Sequence, residues 1–300
     1  MYKGSITDIE GVSVGHYTDA KNKTGCSVVI IDNGGVCGVD VRGSAPGTRE
    51  TDLMRPTAMV QKANAFVLSG GSAFGLASAD GVMRYLEENG QGFDTGVAKV
   101  PIVGAAVLFD LAVGSADVRP TADNGYTACQ NAVNDVIETG KVGAGTGATT
   151  GKAAGKLLAG KGGFGTASIS LGGGIVVAAC FAVNAFGDIY DHTNGEKIAG
   201  MKGMKTYNVL LKGAKFDFSG KNTTIGVVGT NAILSKEQAN KLAQLGQDGI
   251  ALSVRPSHTM FDGDTVFAFG TGQKKSDINA ILAAGAEVAA RAIENAVSKS

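Results

Sequence analysis

Polar and apolar positions along the chain switch between the alternating rhythm of strands and the wider spacing of helices, and the switches mark out its elements. Residues 26–32 and 36–41 are short β-branched runs joined by Asn33-Gly34-Gly35, a pattern that predicts a hairpin. A strand over 65–68 ends in Ser69-Gly70-Gly71. Ser72 is then placed to cap a helix running to about Glu88, with Leu76, Ala79, Val82, Met83 and Leu86 at helical spacing. Further expectations are a strand over 99–108 and a helix over 126–139 closed by Gly140. Residues 143–174 are glycine-rich with little helical period. The wholly apolar run 175–183 predicts a central strand covered on both faces.

Residues 189–218 are more polar and irregular, and Gly220-Lys221-Asn222-Thr223-Thr224 then leads into a strand over 225–228. Ser235-Lys236-Glu237-Gln238 is a capping box opening a helix that must end by Arg255, before Pro256. A strand over 265–269 and an alanine-rich helix over 277–297, capped by Ser276, complete the chain. No repeat of fixed period is present, and the mixture suggests a layered α/β or α+β domain.

Composition narrows the function classes. The 300 residues suffice for one large domain or two small ones. A formal net charge of zero leaves no footprint for nucleic acid or an anionic membrane, so neither is expected as a partner. The 46 glycines, against only five prolines, are about twice the usual share of roughly 7% and point to tight turns and closely packed layers. Cys26, Cys37, Cys129 and Cys180 form no CxxC pair, so a disulfide framework or zinc knuckle is not expected. Cys26, Cys37 and Cys180 sit in apolar runs and read as buried small hydrophobes. The first residues lack an apolar signal segment and no run is long enough to span a bilayer, so a cytoplasmic location is the expectation.

Common chemical motifs fail. The segment ending in Gly151-Lys152 resembles a phosphate loop, but Thr146 stands where the first glycine belongs and Ala153 follows the lysine. Phe74 replaces the last glycine of a nucleophile elbow around Ser72. His16, His192 and His258 form no spaced pair, so no metal site or cofactor is expected. His258 flanks an acidic turn, and reads either as an ordinary loop histidine or as a group supporting that turn. Two segments remain, each just before a strand. In extended chain, residues two apart share a side, so Asp262 and Asp264 can converge to hold a cation, an amine or a hydroxyl; the same Asp-Gly-Asp also reads as a simple turn. Asn222-Thr223-Thr224 alone reads as a surface turn.

Over nearly its whole length the chain resembles the L-aminopeptidase/D-esterase family, which includes the β-peptidyl aminopeptidases. The blocks that carry the resemblance are Val39-Asp40-Val41-Arg42-Gly43-Ser44-Ala45-Pro46-Gly47-Thr48-Arg49-Glu50-Thr51-Asp52 and Gly70-Gly71-Ser72-Ala73-Phe74-Gly75-Leu76. Asn222-Thr223-Thr224-Ile225, Thr230-Asn231 and Asp262-Gly263-Asp264-Thr265 are similar to motifs of its nylon-oligomer hydrolase branch.

The resemblance implies a four-layer αββα fold of the N-terminal-nucleophile type, one hydrolase domain over 1–300 that cuts itself between Asn222 and Thr223. Residues 1–222 would then form the α subunit and 223–300 the β subunit. It further implies Thr223 as nucleophile, with Lys152, Asn184, Asp262 and Asp264 around it. Phe109 stands in the substrate site where that branch has a tyrosine, so a phenolic donor is missing. An N-terminal threonine brings its own base, the free α-amine. The amide of Asn184 and the ammonium of Lys152 are expected as oxyanion donors, and the aspartates as groups orienting the nucleophile. The expected substrates are small peptides or ω-amino-acid amides such as 6-aminohexanoate oligomers, and the expected assembly is a tetramer of αβ units. An ornithine acetyltransferase-type acyl transfer and a non-catalytic binding protein on the same scaffold are the alternatives. Acyl transfer to ornithine would distinguish the first, and an uncut, inactive chain the second.

Overall fold

Residues 1–155, 157–213 and 222–298 are described in a computed structural model. Gly220 and Lys221, part of the segment leading to Thr223, lie outside the described residues, as does the end of the irregular stretch 189–218. The strands of the principal sheet are β1 (Val12–Asp19), β2 (Thr24–Val41), β3 (Thr48–Arg49), β4 (Lys62–Ser69), β5 (Val103–Val107), β6 (Gly163–Ser170), β7 (Val176–Asn184), β8 (Thr223–Ala232) and β9 (Thr265–Lys274). The helices are α1 (Ser78–Glu88), α2 (Ala122–Gln130), α3 (Thr206–Leu211), α4 (Lys236–Ser253) and α5 (Ile278–Ser298). Hydrogen bonding runs in the order β6-β7-β8-β9-β2-β4-β5-β3, with β1 on β2.

Residues 24–41 are a single strand, not the expected hairpin. Asn33 and Gly34 both take positive φ, 59° and 68°, but they form a bulge rather than a reversal. Both halves of β2 pair with β4, so the chain cannot turn back on itself there. The other edge changes partner at the bulge: residues 24–31 pair with β1, and Val36 to Val41 with β9. The sheet folds over on itself along this strand.

The fold-over creates four layers, as the αββα expectation required. Outward residues Val177, Ala179, Phe181 and Val183 of β7 pack under α4 and α5. The intervening Ala178, Cys180 and Ala182 face the other half of the sheet, meeting Phe66, Leu68, Phe267 and Phe269. Period two with both faces buried therefore reads as a continuous apolar run. On the far side Cys26, Val28, Ala65 and Val67 pack under α1 and α2. All four cysteines are buried free thiols.

Other elements adjust locally. Ser72 does not cap α1: it has φ 53° and opens a 3-10 turn, Ser72–Ala77, that precedes the helix. Residues 99–108 are interrupted near Pro101, leaving Lys99–Val100 and Val103–Val107. The expected helix over 126–139 is instead α2, ending at Gln130, because Val133 bridges to Val14 at the sheet edge. The polar stretch after 189 contains α3. At α5 it is Asp277, not Ser276, whose carboxylate accepts the Asn279 N–H at 2.9 Å. The capping box at Ser235 and Gln238 is present. Among the described residues no helix is long and apolar enough to cross a membrane.

Candidate active site

Thr223 begins β8, in the middle of the sheet. Its position shares parity with Ile225 and Val227, which face the opposing half of the sheet. There the interface opens into a cleft of about 110 Å³, lined by residues 45–47, Ser72, Ala73, Val107, Leu108, Phe109 and Thr223. Larger hollows lie at the N-terminal residues (450 Å³), beside α3 (590 Å³) and around Asn64 and Phe93 (350 Å³). In the first, the hydroxyls of Thr7 and Thr166 are engaged by backbone carbonyls, and neither of the other two is lined by a hydroxyl side chain. The smaller cleft is the one that contains Thr223.

The Asn222–Thr223 peptide is held tightly. Asn222 is buried, with its N–H on the Phe261 carbonyl and its own carbonyl accepting the Gly263 N–H at 2.9 Å. The Thr223 hydroxyl donates to that same Asn222 carbonyl oxygen. A donor fixed on the carbonyl and a hydroxyl beside it are the parts an internal N-to-O acyl shift needs.

Strand pairing brings Asn184 directly across from Thr223. Its side chain is fully buried and accepts the Thr149 N–H at 3.0 Å and the Lys152 ammonium at 2.7 Å. Its amide nitrogen donates to the Phe109 carbonyl at 3.0 Å, so in the uncut chain this group faces Phe109. Lys152 also donates to the Asn184 carbonyl at 2.9 Å. Burial lowers the Lys152 pKa to about 7, partly opposed by Asp262 and Asp110 and reinforced by Lys141. Part of the residue keeps some exposure, but the ammonium itself points inward against Asn184.

Asp262 and Asp264 approach the nucleophile but hold different groups. Asp262 accepts the Phe186 N–H at 3.2 Å and, on its other oxygen, the Thr259 N–H and hydroxyl at 3.0 and 2.6 Å. Asp264 accepts the Thr224 N–H at 2.7 Å and His258 Nδ1 at 2.8 Å. Burial first, and the neighbouring Asp264 charge second, raise the Asp262 pKa. Burial alone would lower the pKa of His258, but its hydrogen bond to Asp264 and that carboxylate's charge outweigh this and raise it. His258 is thus a support of Asp264 rather than a bystander in a loop.

Three other contributors were given no site role by the sequence. Gly263 acts through its backbone N–H, which has no side-chain signature, and a Cβ there would lie 3.0 Å from Thr223 Oγ1. Asp110, buried beside Phe109, accepts the Gly71 N–H at 2.7 Å and so fixes the loop that carries Ser72. Its burial raises its pKa. The adjacency of Asp110 to Phe109 was a usable signal. Ser72, with its positive φ, lines the cleft, a conformation that in non-glycine residues concentrates at functional sites.

A folded-over sheet between helical layers is a fold shared with a solved aminopeptidase described as a variant of the Ntn hydrolase fold. Residues 4–300 match the model of peptidase family S58, and the chain belongs to that family. It is 44% identical to an uncharacterized aminopeptidase of Mycobacterium leprae, over 89% of this chain and 78% of that protein. It is 29% identical to a 6-aminohexanoate-oligomer endohydrolase of a Kocuria species, over 89% of this chain and 74% of the relative. The solved L-aminopeptidase D-Ala-esterase/amidase of Ochrobactrum anthropi shares the fold, with TM-score 0.72 at 19% identity, covering 97% of this chain and 85% of that one.

Proposed function

We propose that this family S58 amide hydrolase activates itself by cutting between Asn222 and Thr223 and then works through an acyl-enzyme on Thr223. The observation that carries the reading is the contact of the Thr223 hydroxyl with the Asn222 carbonyl oxygen, which Gly263 N–H also holds. In activation, Thr223 Oγ adds to the Asn222 carbonyl carbon and its proton passes to a neighbouring base. Collapse breaks the C–N bond, and the leaving nitrogen takes up a proton to become the Thr223 α-amine. Water then hydrolyses the ester, giving an Asn222 carboxylate and a free hydroxyl. The products are residues 1–222 and 223–300.

In turnover the same hydroxyl attacks a substrate amide while the α-amine, whose pKa in free peptides is near 8, accepts its proton. The substrate amine departs with a proton, and water releases the acid. Asn184 and Lys152 stand across the strand ladder as candidate oxyanion donors, Asn184 once its amide turns from Phe109. Asp264 fixes the backbone just after the nucleophile, at Thr224, while Asp262 holds the chain beyond Asn184, at Phe186, and the turn at Thr259.

Small amides are the substrates in this reading, 6-aminohexanoate oligomers among them, on the strength of the oligomer endohydrolase relatives. Assembly as a tetramer of αβ units belongs to the same proposal. Intact-mass spectrometry of the wild type and Thr223→Ala tests it: two fragments are expected from the first and one chain from the second. Two fragments from Thr223→Ala would remove Thr223 from the mechanism.

A further inference from the structure

We infer that His258 is a positioning residue that pins the buried Asp264 carboxylate beside the nucleophile and balances its charge, leaving the Thr223 α-amine free to act as a base near neutral pH. The inference rests on Thr223 as the self-freed nucleophile. A chain of contacts runs from α4 to β8. Asp264 is buried, and one of its oxygens accepts the Thr224 N–H at 2.7 Å. The other oxygen takes both the His258 N–H at 3.2 Å and the His258 ring, whose Nδ1 lies 2.8 Å away. On the far side of the ring, Nε2 faces the Gln247 carbonyl of α4 at 3.4 Å. Both ring nitrogens thus point at acceptors, and only the doubly protonated, cationic imidazole donates to both. His258 holds this pose with a φ of 54°, a conformation that non-glycine residues keep where their surroundings fix them.

These contacts survive the proposed cut, because none of them is made by Asn222 or by the scissile bond. Thr224 and Ile225 stay paired with Val183 and Ala182 of β7, and Ile225 also with Thr265 of β9. The new α-amine is one residue from the Thr224 nitrogen, and successive backbone nitrogens are at most about 3.7 Å apart. With the 2.7 Å bond from that nitrogen to Asp264, the amine lies within about 6.4 Å of the carboxylate oxygen.

At that range an unbalanced carboxylate would hold a proton on the amine and withdraw the base that turnover needs. It is His258 that lies in direct contact with Asp264. Burial works against a charge on the ring, and the bond to Asp264 with its negative charge outweighs it, so the His258 pKa is raised. Arg42, the neighbouring cation, is engaged by Asp40 and Asp248. Around the nucleophile, Asp262 holds Phe186 and Thr259, and Lys152 bonds Asn184 across the ladder, with Lys141 and Asp110 close enough to act on that lysine. These groups set a common background, and the charge of His258 decides whether Asp264 is balanced or reaches for the amine.

The test reads the amine directly. Cyanate carbamylates an amine only in its free-base form, so the rate of labelling at Thr223 as pH is varied, followed by mass spectrometry of the terminal peptide, gives the midpoint of the α-amine. In His258→Gln, which keeps a donor but no charge, the midpoint is expected to rise by about one unit, the effect of removing a positive charge roughly 9 Å away at an effective dielectric of about 20–40. In His258→Lys, which keeps the charge, it is expected to stay within about 0.3 unit of the wild type. A rise below about 0.3 unit in His258→Gln overturns the inference, and so does an equal rise in His258→Lys, which would make geometry rather than charge the cause. A wild-type chain that is never cut has no Thr223 amine to label; that result fails the reading of Thr223 itself, and the inference falls with it. If either variant misfolds or stays uncut, nitrogen NMR of the wild-type imidazole decides at the free-histidine value of about 6.5. More than half of the His258 rings charged supports the inference, and fewer than half sinks it.

Discussion

The tightest constraint on the proposed self-cleavage is Gly263, and a single methyl group tests it. In Gly263→Ala the new Cβ would lie 2.5 Å from the Ala45 carbonyl oxygen and 3.0 Å from Thr223 Oγ1, where ordinary contact begins at 3.4 Å. The Ala45 carbonyl must therefore recede by close to an ångström, or Gly263 must. Either shift disturbs Asp262, whose carbonyl accepts the Ala45 N–H at 3.0 Å, and lengthens the 2.9 Å bond from Gly263 N–H to the Asn222 carbonyl. Loss of one preorganised oxyanion donor slows acyl transfer by about 10²–10³-fold, and misplacing reacting groups by about 1 Å costs about 10²-fold. Self-cleavage of Gly263→Ala is thus expected to slow by about 10²-fold or more. The assay is a pulse-chase synthesis, following loss of the 30.2 kDa precursor on a denaturing gel. A cooperative melt of the purified variant establishes that it is folded. A folded Gly263→Ala that cuts itself within about twofold of the wild-type rate would refute the role of this N–H.

Two further outcomes follow from the polar contacts. Asp262→Ala and Asp264→Ala are both expected to lose amide hydrolysis by about 10²-fold or more while still melting cooperatively; full activity in either would make that carboxylate structural. Away from the cleft, His192 bonds Glu294 at 2.6 Å and Glu287 at 3.0 Å, tying its loop to α5. Burial would lower its pKa, but the two glutamates outweigh this and raise it. Its contribution to stability is therefore fully present below the free imidazole value near 6.5 and lost as pH rises through the folded-state pKa. His192→Gln should lower the melting temperature more at pH 6 than at pH 9, and an equal deficit at both would rule out the charge as its source.

By itself the sequence determined the family, through its motifs, and several of the elements. The apolar run of β7 announced a strand buried on both faces, because side chains alternate sides locally whatever the partner. The capping box at Ser235 was legible because its hydrogen bonds close within one turn. Blocks around Gly70, Thr223 and Asp262 carried the family likeness that the match over residues 4–300 bears out. Only the tertiary structure decided which strands meet. Asn33-Gly34 has the residues of a tight turn, yet it became a bulge because β4 pairs with the chain on both sides of it. The same long-range pairing set Asn184 opposite Thr223 and Gly263 N–H on the Asn222 carbonyl. Those contacts join residues far apart in the chain, or act through backbone atoms that every residue has, so no local pattern encodes them.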